Sequence, residues 1–102
     1  MQLVMSTCAS TEEAESLGRR LVEERLAACA TVLPNVISQY WWGSRLERET
    51  ECLLLLKTTS DRVPALQVRL LELHSYECPE VLVLRVESAN PAYEEWVRTS
   101  VR

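Results

Sequence analysis

Two periodicities divide the chain between strands and helices. "QLVMSTC" (2–8) is a short apolar, β-branched run and reads as a first strand. In "STEEAESLGRRLVEERLAA", Ser10 and Glu13 stand at capping-box spacing, and Ala14, Leu17, Leu21, Val22 and Leu26 recur on one helical face. Gly18 lies on that face too. It lowers helix propensity by about 1 kcal/mol against Ala, and in exchange permits a close approach to a sheet. Glu15 and Arg19 form an i,i+4 pair on the solvent side.

The next two segments, 29–42 and 45–59, are rich in β-formers and flank Gly43-Ser44. They read as the arms of one long antiparallel hairpin. Pro34 has no N–H for the ladder, which predicts a bulge or kink there. Leu53 to Leu56 is apolar at every position, whereas Glu47 to Glu51 alternates charge with Leu46 and Thr50, so one end of that strand is central and the other outlying. A second helix is expected from an Asp61 N-cap, with Pro64 in its first turn and Val63, Leu66, Leu70 and Leu73 on its apolar face. "PEVLVLRVE" (79–87) is a further strand. Asn90 and Pro91 open a terminal helix whose apolar side carries Tyr93, Trp96 and Val97.

The predicted order, β-α-β-β-α-β plus a terminal helix, is that of an α+β, ferredoxin-like single domain spanning 1–102. Both main helices would cover one sheet face. The other face, with "LLLL" and "VLVL" in its strands, is too apolar to be left to water, and oligomerisation is the expected remedy. The hairpin supports this reading. Tyr40, Trp41 and Trp42 are three of only six aromatic residues in the chain, and successive strand side chains point to opposite faces. An arm with rings on both faces covers a neighbour and is covered in return.

Composition narrows the partners. A hydrophobic fraction of 47% with 25% charged residues is that of a globular protein, and a net charge of −4 supplies no basic field for nucleic acid. No cationic segment followed by a long apolar run marks a signal peptide or a membrane span, so the cytoplasm is the expected compartment. Cys8, Cys29, Cys52 and Cys78 lack the close spacing of zinc ribbons and are expected as free thiols.

Taken together, "LVEERLAAC" (21–29), Tyr40 and Trp42, "LLLLKT" (53–58), "LHSYECPE" (73–80) and "NPAYEEWV" (90–97) resemble the CutA family of divalent-cation tolerance proteins, in that family's order and over nearly the whole chain. The resemblance implies a tight homotrimer of ferredoxin-like protomers, PII-like in architecture, with a role in tolerance of copper and other divalent cations. It assigns Tyr40 and Trp42 to the trimer interface and leaves Trp41 as a residue peculiar to this chain. The family commonly reads Tyr-x-Trp-x-Gly-Lys at the hairpin tip, and here the glycine comes one place earlier. It also favours His-Pro-Tyr where this chain has His74, Ser75 and Tyr76. The copper-ligand pattern of some members, a strand Cys and a His pair, maps onto Ser6, Leu73 and His74.

Three functional expectations follow. The first is weak or shared binding of copper or another divalent cation by His74, with Cys8 substituting as thiolate two residues from Ser6 on the same strand face. No cofactor is expected to be obligatory. The second is a small-ligand sensor with an inter-subunit cleft at Arg25, Cys29, Lys57, His74, Tyr76 and Glu77, which match family motif positions; the same residues serve equally as interface hydrogen bonds and ion pairs. The third is a structural trimeric adaptor. Catalysis is not expected: no nucleophile-and-base arrangement or paired catalytic carboxylates are recognisable, and two glycines exclude a P-loop.

Overall fold

The computed structural model describes residues Met1–Arg102. Its strands are β1 (Gln2–Cys8), β2 (Cys29–Trp42), β3 (Arg45–Thr58) and β4 (Leu82–Arg85), and its helices α1 (Thr11–Glu23), α2 (Val63–Leu73) and α3 (Pro91–Ser100). The sheet order is β2-β3-β1-β4, with every pairing antiparallel. Two β-α-β units are interleaved so that β1 and β3 lie at the centre, which is the split arrangement expected of the element order.

Alternation along the central strands sorts the side chains. Val4, Cys8, Cys52, Leu54 and Leu56 point to the face covered by α1 and α2, where they join Ala14, Leu17, Leu21, Leu66 and Leu70 in the main core. Leu3, Met5, Leu53 and Leu55 point the other way and are only half-buried. At the edge, Leu82 and Leu84 are exposed on that same open face, opposite Met5 and Leu3. Helix α3 packs separately, through Val97 and Val101 against Ala28, Met1 and Tyr93.

Gly18 sits where α1 meets the sheet. A Cβ there would lie 2.8 Å from the Ala30 Cβ and 3.4 Å from Leu54 Cδ1, so glycine sets the helix-to-sheet distance. The far end of α1 is less expected. Arg25 adopts a positive φ of 62°, Arg25 N–H donates to the Val22 carbonyl at 3.0 Å and Leu26 N–H to the Leu21 carbonyl at 3.0 Å. This is a Schellman cap with arginine in the left-handed position that glycine usually holds. The helix therefore ends before Leu26, which still reaches the core from beyond the cap.

Strands β2 and β3 run 14 residues each, against seven for β1, so their distal halves project as a two-stranded arm. The Pro34 irregularity is a bulge: pairing jumps from Leu33↔Leu53 to Val36↔Glu51, leaving Pro34 and Asn35 opposite Cys52 alone, with Asn35 at φ 59°. The extra residue reverses the phase of β2. Beyond it, Val36, Ser38, Tyr40 and Trp42 lie on the open side, and Ile37, Gln39 and Trp41 on the helix side. Gly43 alone of the turn pair has positive φ, 62°, the pattern of a type II′ hairpin.

Two sequence expectations are corrected. The final strand is Leu82–Arg85, not 79–87, because only these four residues pair with β1, opposite Met5 to Gln2. Asp61 lies within a 3-10 turn over Ser60–Arg62, where its carboxylate accepts the Thr59 hydroxyl at 2.6 Å, and α2 proper begins at Val63. Asn90 and Pro91 do open α3 as N-cap and first helical residue, with no side-chain cap bond from Asn90.

Replacing Gly18 by alanine is expected to lower stability. Overpacking of about 1–3 kcal/mol outweighs a propensity gain of about 1 kcal/mol, for a net loss of up to about 2 kcal/mol in a urea titration. A raised midpoint would show that Ala30 gives way freely.

Candidate functional site

The C-terminal end of β1 meets the N-terminus of α1 and the C-terminus of α2, and three metal-ligating side chains converge there. Cys8, Glu13 and His74 each offer one ligand atom, and these atoms lie within 4.8 Å of one another. Cys8 closes β1 on the helix side, Glu13 is the third residue of α1, and His74 is the C-cap of α2. Ligand atoms around a four-coordinate ion with bonds of about 2.0–2.3 Å lie about 3.3–3.8 Å apart, so the group would have to close by up to about 1 Å.

Each side chain is already engaged. Backbone N–H of Tyr76 donates to His74 Nδ1 at 3.1 Å, so that nitrogen carries no proton. The Nε2–H then donates to the Thr7 carbonyl at 2.9 Å, and the two bonds fix the tautomer. Cys8 Sγ lies 4.0 Å from the same Nε2. Burial pushes the Cys8 thiol up to about 12, with the Glu13, Cys52 and Glu51 side chains adding to the effect. Glu13 Oε1 accepts Ala9 N–H at 3.2 Å and Oε2 accepts Ser75 N–H at 3.2 Å. Although burial opposes it, the bonds from Ser75 and Ala9 hold the Glu13 carboxyl below its ordinary range. An ion entering this group must displace protein hydrogen bonds and a thiol proton.

Ser6, in the position that resemblance gives to a cysteine ligand, is fully buried and its hydroxyl has no partner. Leu73 is half-buried against the core. The sulfur in the group is that of Cys8. Capping-box spacing hides Glu13 as a ligand in the sequence, yet only the serine half of the box forms: Ser10 Oγ accepts Glu13 N–H at 3.1 Å, while the Glu13 carboxylate turns to Ala9 and Ser75.

The residues expected to share a cleft fall into three places within one chain. Cys29 and Lys57 face each other across β2 and β3 on the open side, with Lys57 Nζ 3.8 Å from Cys29 Sγ and 3.2 Å from Thr31 Oγ1. Arg25 turns to the opposite end of the molecule, where its guanidinium donates to the Ser100 carbonyl at 3.2 Å and caps α3. Tyr76 packs against His74 with ring centroids 4.9 Å apart and the rings tilted by 42°, and its hydroxyl donates to Glu51 Oε2 at 2.6 Å. Burial, then the Glu51 carboxylate, raises the Tyr76 phenol well above its usual value. Tyr76 and Glu77 also line a cavity of about 1000 Å³ between the arm and the 76–80 loop, together with Tyr40, Trp42, Glu49 and Glu51. Tyr40, Trp41 and Trp42 are 38%, 70% and 64% exposed, so nothing within one chain covers the arm.

The family model described as CutA1 divalent ion tolerance protein matches residues 2–100. The chain belongs to that family. Protein CutA homolog of Xenopus laevis is 44% identical over 89% of this chain. The match spans only 60% of that relative's own length. A structure titled divalent cation tolerance protein (Cut A1), from Thermus thermophilus, superposes with a TM-score of 0.95 at 38% identity, covering 100% of both chains. The PII-like protein CutA of Nostoc sp. PCC 7120, in its apo form, superposes with a TM-score of 0.93 at 31% identity, covering 100% of this chain and 98% of that one. The CutA fold accordingly holds for every element described above.

A pH dependence follows from Glu13. A carboxyl whose pKa is lowered on folding adds stability above its unfolded value, near 4.5, and that contribution is lost as pH falls through the lower folded value. Glu13→Gln is expected to flatten the acid limb of the stability profile below about pH 4.5. An unchanged acid limb in thermal melts across that range would contradict the assignment.

Proposed function

We propose that this chain works as a non-catalytic homotrimer in the divalent-cation response, with copper or another divalent cation held weakly at Cys8, Glu13 and His74. The observation that carries the reading is the convergence of those three ligand atoms within 4.8 Å in a CutA family member. Thiolate and imidazole suit copper, and copper(I) prefers sulfur. Weakness has a structural reason, since both imidazole nitrogens and both carboxylate oxygens are committed to protein partners. Four free cysteines favour a reducing compartment, and the cytoplasm is the proposed one. No helix is long and apolar enough to cross a membrane.

The trimer is supported by the open sheet face and the uncovered arm. Burying a leucine is worth about 1.5–3 kcal/mol, and Leu3, Leu53, Leu55, Leu82 and Leu84 share that face. Tyr40 and Trp42 continue it along the arm, because the bulge at Pro34 turns them to the same side. A small-ligand sensor of the inter-subunit kind is favoured by one observation, the cavity beside the arm. Its carboxylates, Glu47, Glu49, Glu51, Glu77 and Glu80, repel nucleotides and acidic metabolites. Metal response is therefore the preferred reading.

Light scattering is expected to give a trimer, and a monomer would overturn the assembly. Trp42→Ala should weaken that trimer by several kcal/mol, in the range of about 3–5 kcal/mol for truncating a buried aromatic. Trp41→Ala should cost distinctly less, and equal losses would show that both faces of the arm are buried alike. For the metal, titrating copper into purified protein should give saturable binding that His74→Ala weakens at least about tenfold, or about 1.4 kcal/mol. Superimposable isotherms would remove His74 from the site.

A further inference from the structure

Two of the four cysteines stand directly opposite each other. The β1–β3 register pairs Cys8 with Cys52, and both are buried beneath the helices, at 0% and 4% exposure. Opposed residues of antiparallel strands have Cα atoms about 4.5 or 5.5 Å apart, and both spacings lie within the roughly 4.4–6.8 Å range of disulfides. Opposed side chains also share a face. In the reduced chain each thiol has another neighbour: Cys8 Sγ is 4.0 Å from His74 Nε2, and Cys52 Sγ is 3.3 Å from Thr11 Oγ1. Closing the pair asks for side-chain rotation, since the register already brings the backbones together.

The other two cysteines have no thiol opposite. Cys29 faces Lys57 on the open side of the sheet, and Cys78 is exposed in the loop before β4. Position adds a second link. Cys8↔Cys52 is the last pair of its ladder, and Cys8 is also the sulfur of the Cys8–Glu13–His74 group. An ion held by that group touches one member of the dithiol pair.

We propose that Cys8 and Cys52 form a redox couple that closes to a cross-strand disulfide by reducing copper(II). Each thiol releases one proton to solvent and passes one electron to a copper(II) ion. An S–S bond forms between the two sulfurs, and two copper(II) become two copper(I). The oxidised chain has no thiolate at the site, so the sulfur-preferring product ion loses its best ligand. A small thiol reductant of the glutathione class restores the pair, two such thiols becoming their own disulfide. The proposal rests on the metal reading above for its electron acceptor.

The test uses the chain carrying Cys29→Ser and Cys78→Ser, so that only the opposed pair remains. Copper(II) is added without oxygen, copper(I) is captured by a chromogenic chelator, and the protein is mapped by mass spectrometry. The expected result is two copper(I) per chain, a protein lighter by two hydrogens, and one peptide pair joining Cys8 to Cys52. Adding Cys52→Ser should leave at most one copper(I) per chain and no internal link. Mapping the unsubstituted chain in parallel keeps the test decisive if the substituted one fails to fold. Two alkylatable thiols after copper treatment, or links only between chains, would overturn the proposal. Titration with zinc(II), which is redox-inert, separates the failures: saturable zinc binding without a copper-driven disulfide sinks the couple and leaves the metal reading standing, whereas the absence of both sinks the two together.

Discussion

A four-stranded sheet that is apolar on both faces, with only two helices to cover it, constrains everything else in this molecule. Helices α1 and α2 share one side, and β3 passes between the two environments at every residue from Cys52 to Thr58. On the covered side, the depth of contact is set by the absence of a Cβ at Gly18, which brings α1 down onto Ala30 and Leu54. On the open side, the same alternation leaves Leu53 and Leu55 half-buried, beside Leu82 and Leu84 on an edge strand. Helix α3 is committed to its own small cluster around Ala28 and Val97.

The bulge at Pro34 connects that face to the arm. Had β2 kept its phase, Tyr40 and Trp42 would lie on the helix side, with nothing there to meet them. One extra residue carries them to the open side, in line with Leu53 and Leu55. Glu47, Glu49 and Glu51 share that side, and the Tyr40 phenol is pushed up by partial desolvation and by these carboxylates. The arm therefore offers aromatic surface within an acidic field, a combination that selects what docks there by charge as well as by shape.

Much of this was legible in the sequence. Periodicity gave the main helices and the hairpin, Ser10 and Glu13 marked the start of α1, Pro34 announced the bulge, and Gly18 signalled close packing. What was hidden depends on contacts distant in the chain. Nothing local shows that Arg25 takes a left-handed cap, since glycine is the usual signal and the compensation lies in α3, at Ser100. The shortening of β4 is set by the four residues over which it pairs with β1, which hydropathy of "VLVL" does not encode. Glu13 has the spacing of half a cap, and only the fold brings Ser75 and His74 to its carboxylate. The opposition of Cys8 and Cys52 requires the register, which sequence spacing alone does not fix.

The three-way junction at the end of β1 shows why a weak site is a reasonable outcome of this fold. His74 closes α2, holds the turn into Tyr76 and bonds β1 through the Thr7 carbonyl. Glu13 ties the start of α1 to the same loop. These bonds assemble the ligand atoms and at the same time occupy them, so the geometry that creates the group also competes with an ion for it. Removing the competition would loosen the junction and disperse the ligands. Affinity at this place is bounded by the stability of the protein's own hydrogen bonds, and an ion binds only as tightly as the difference between the two allows.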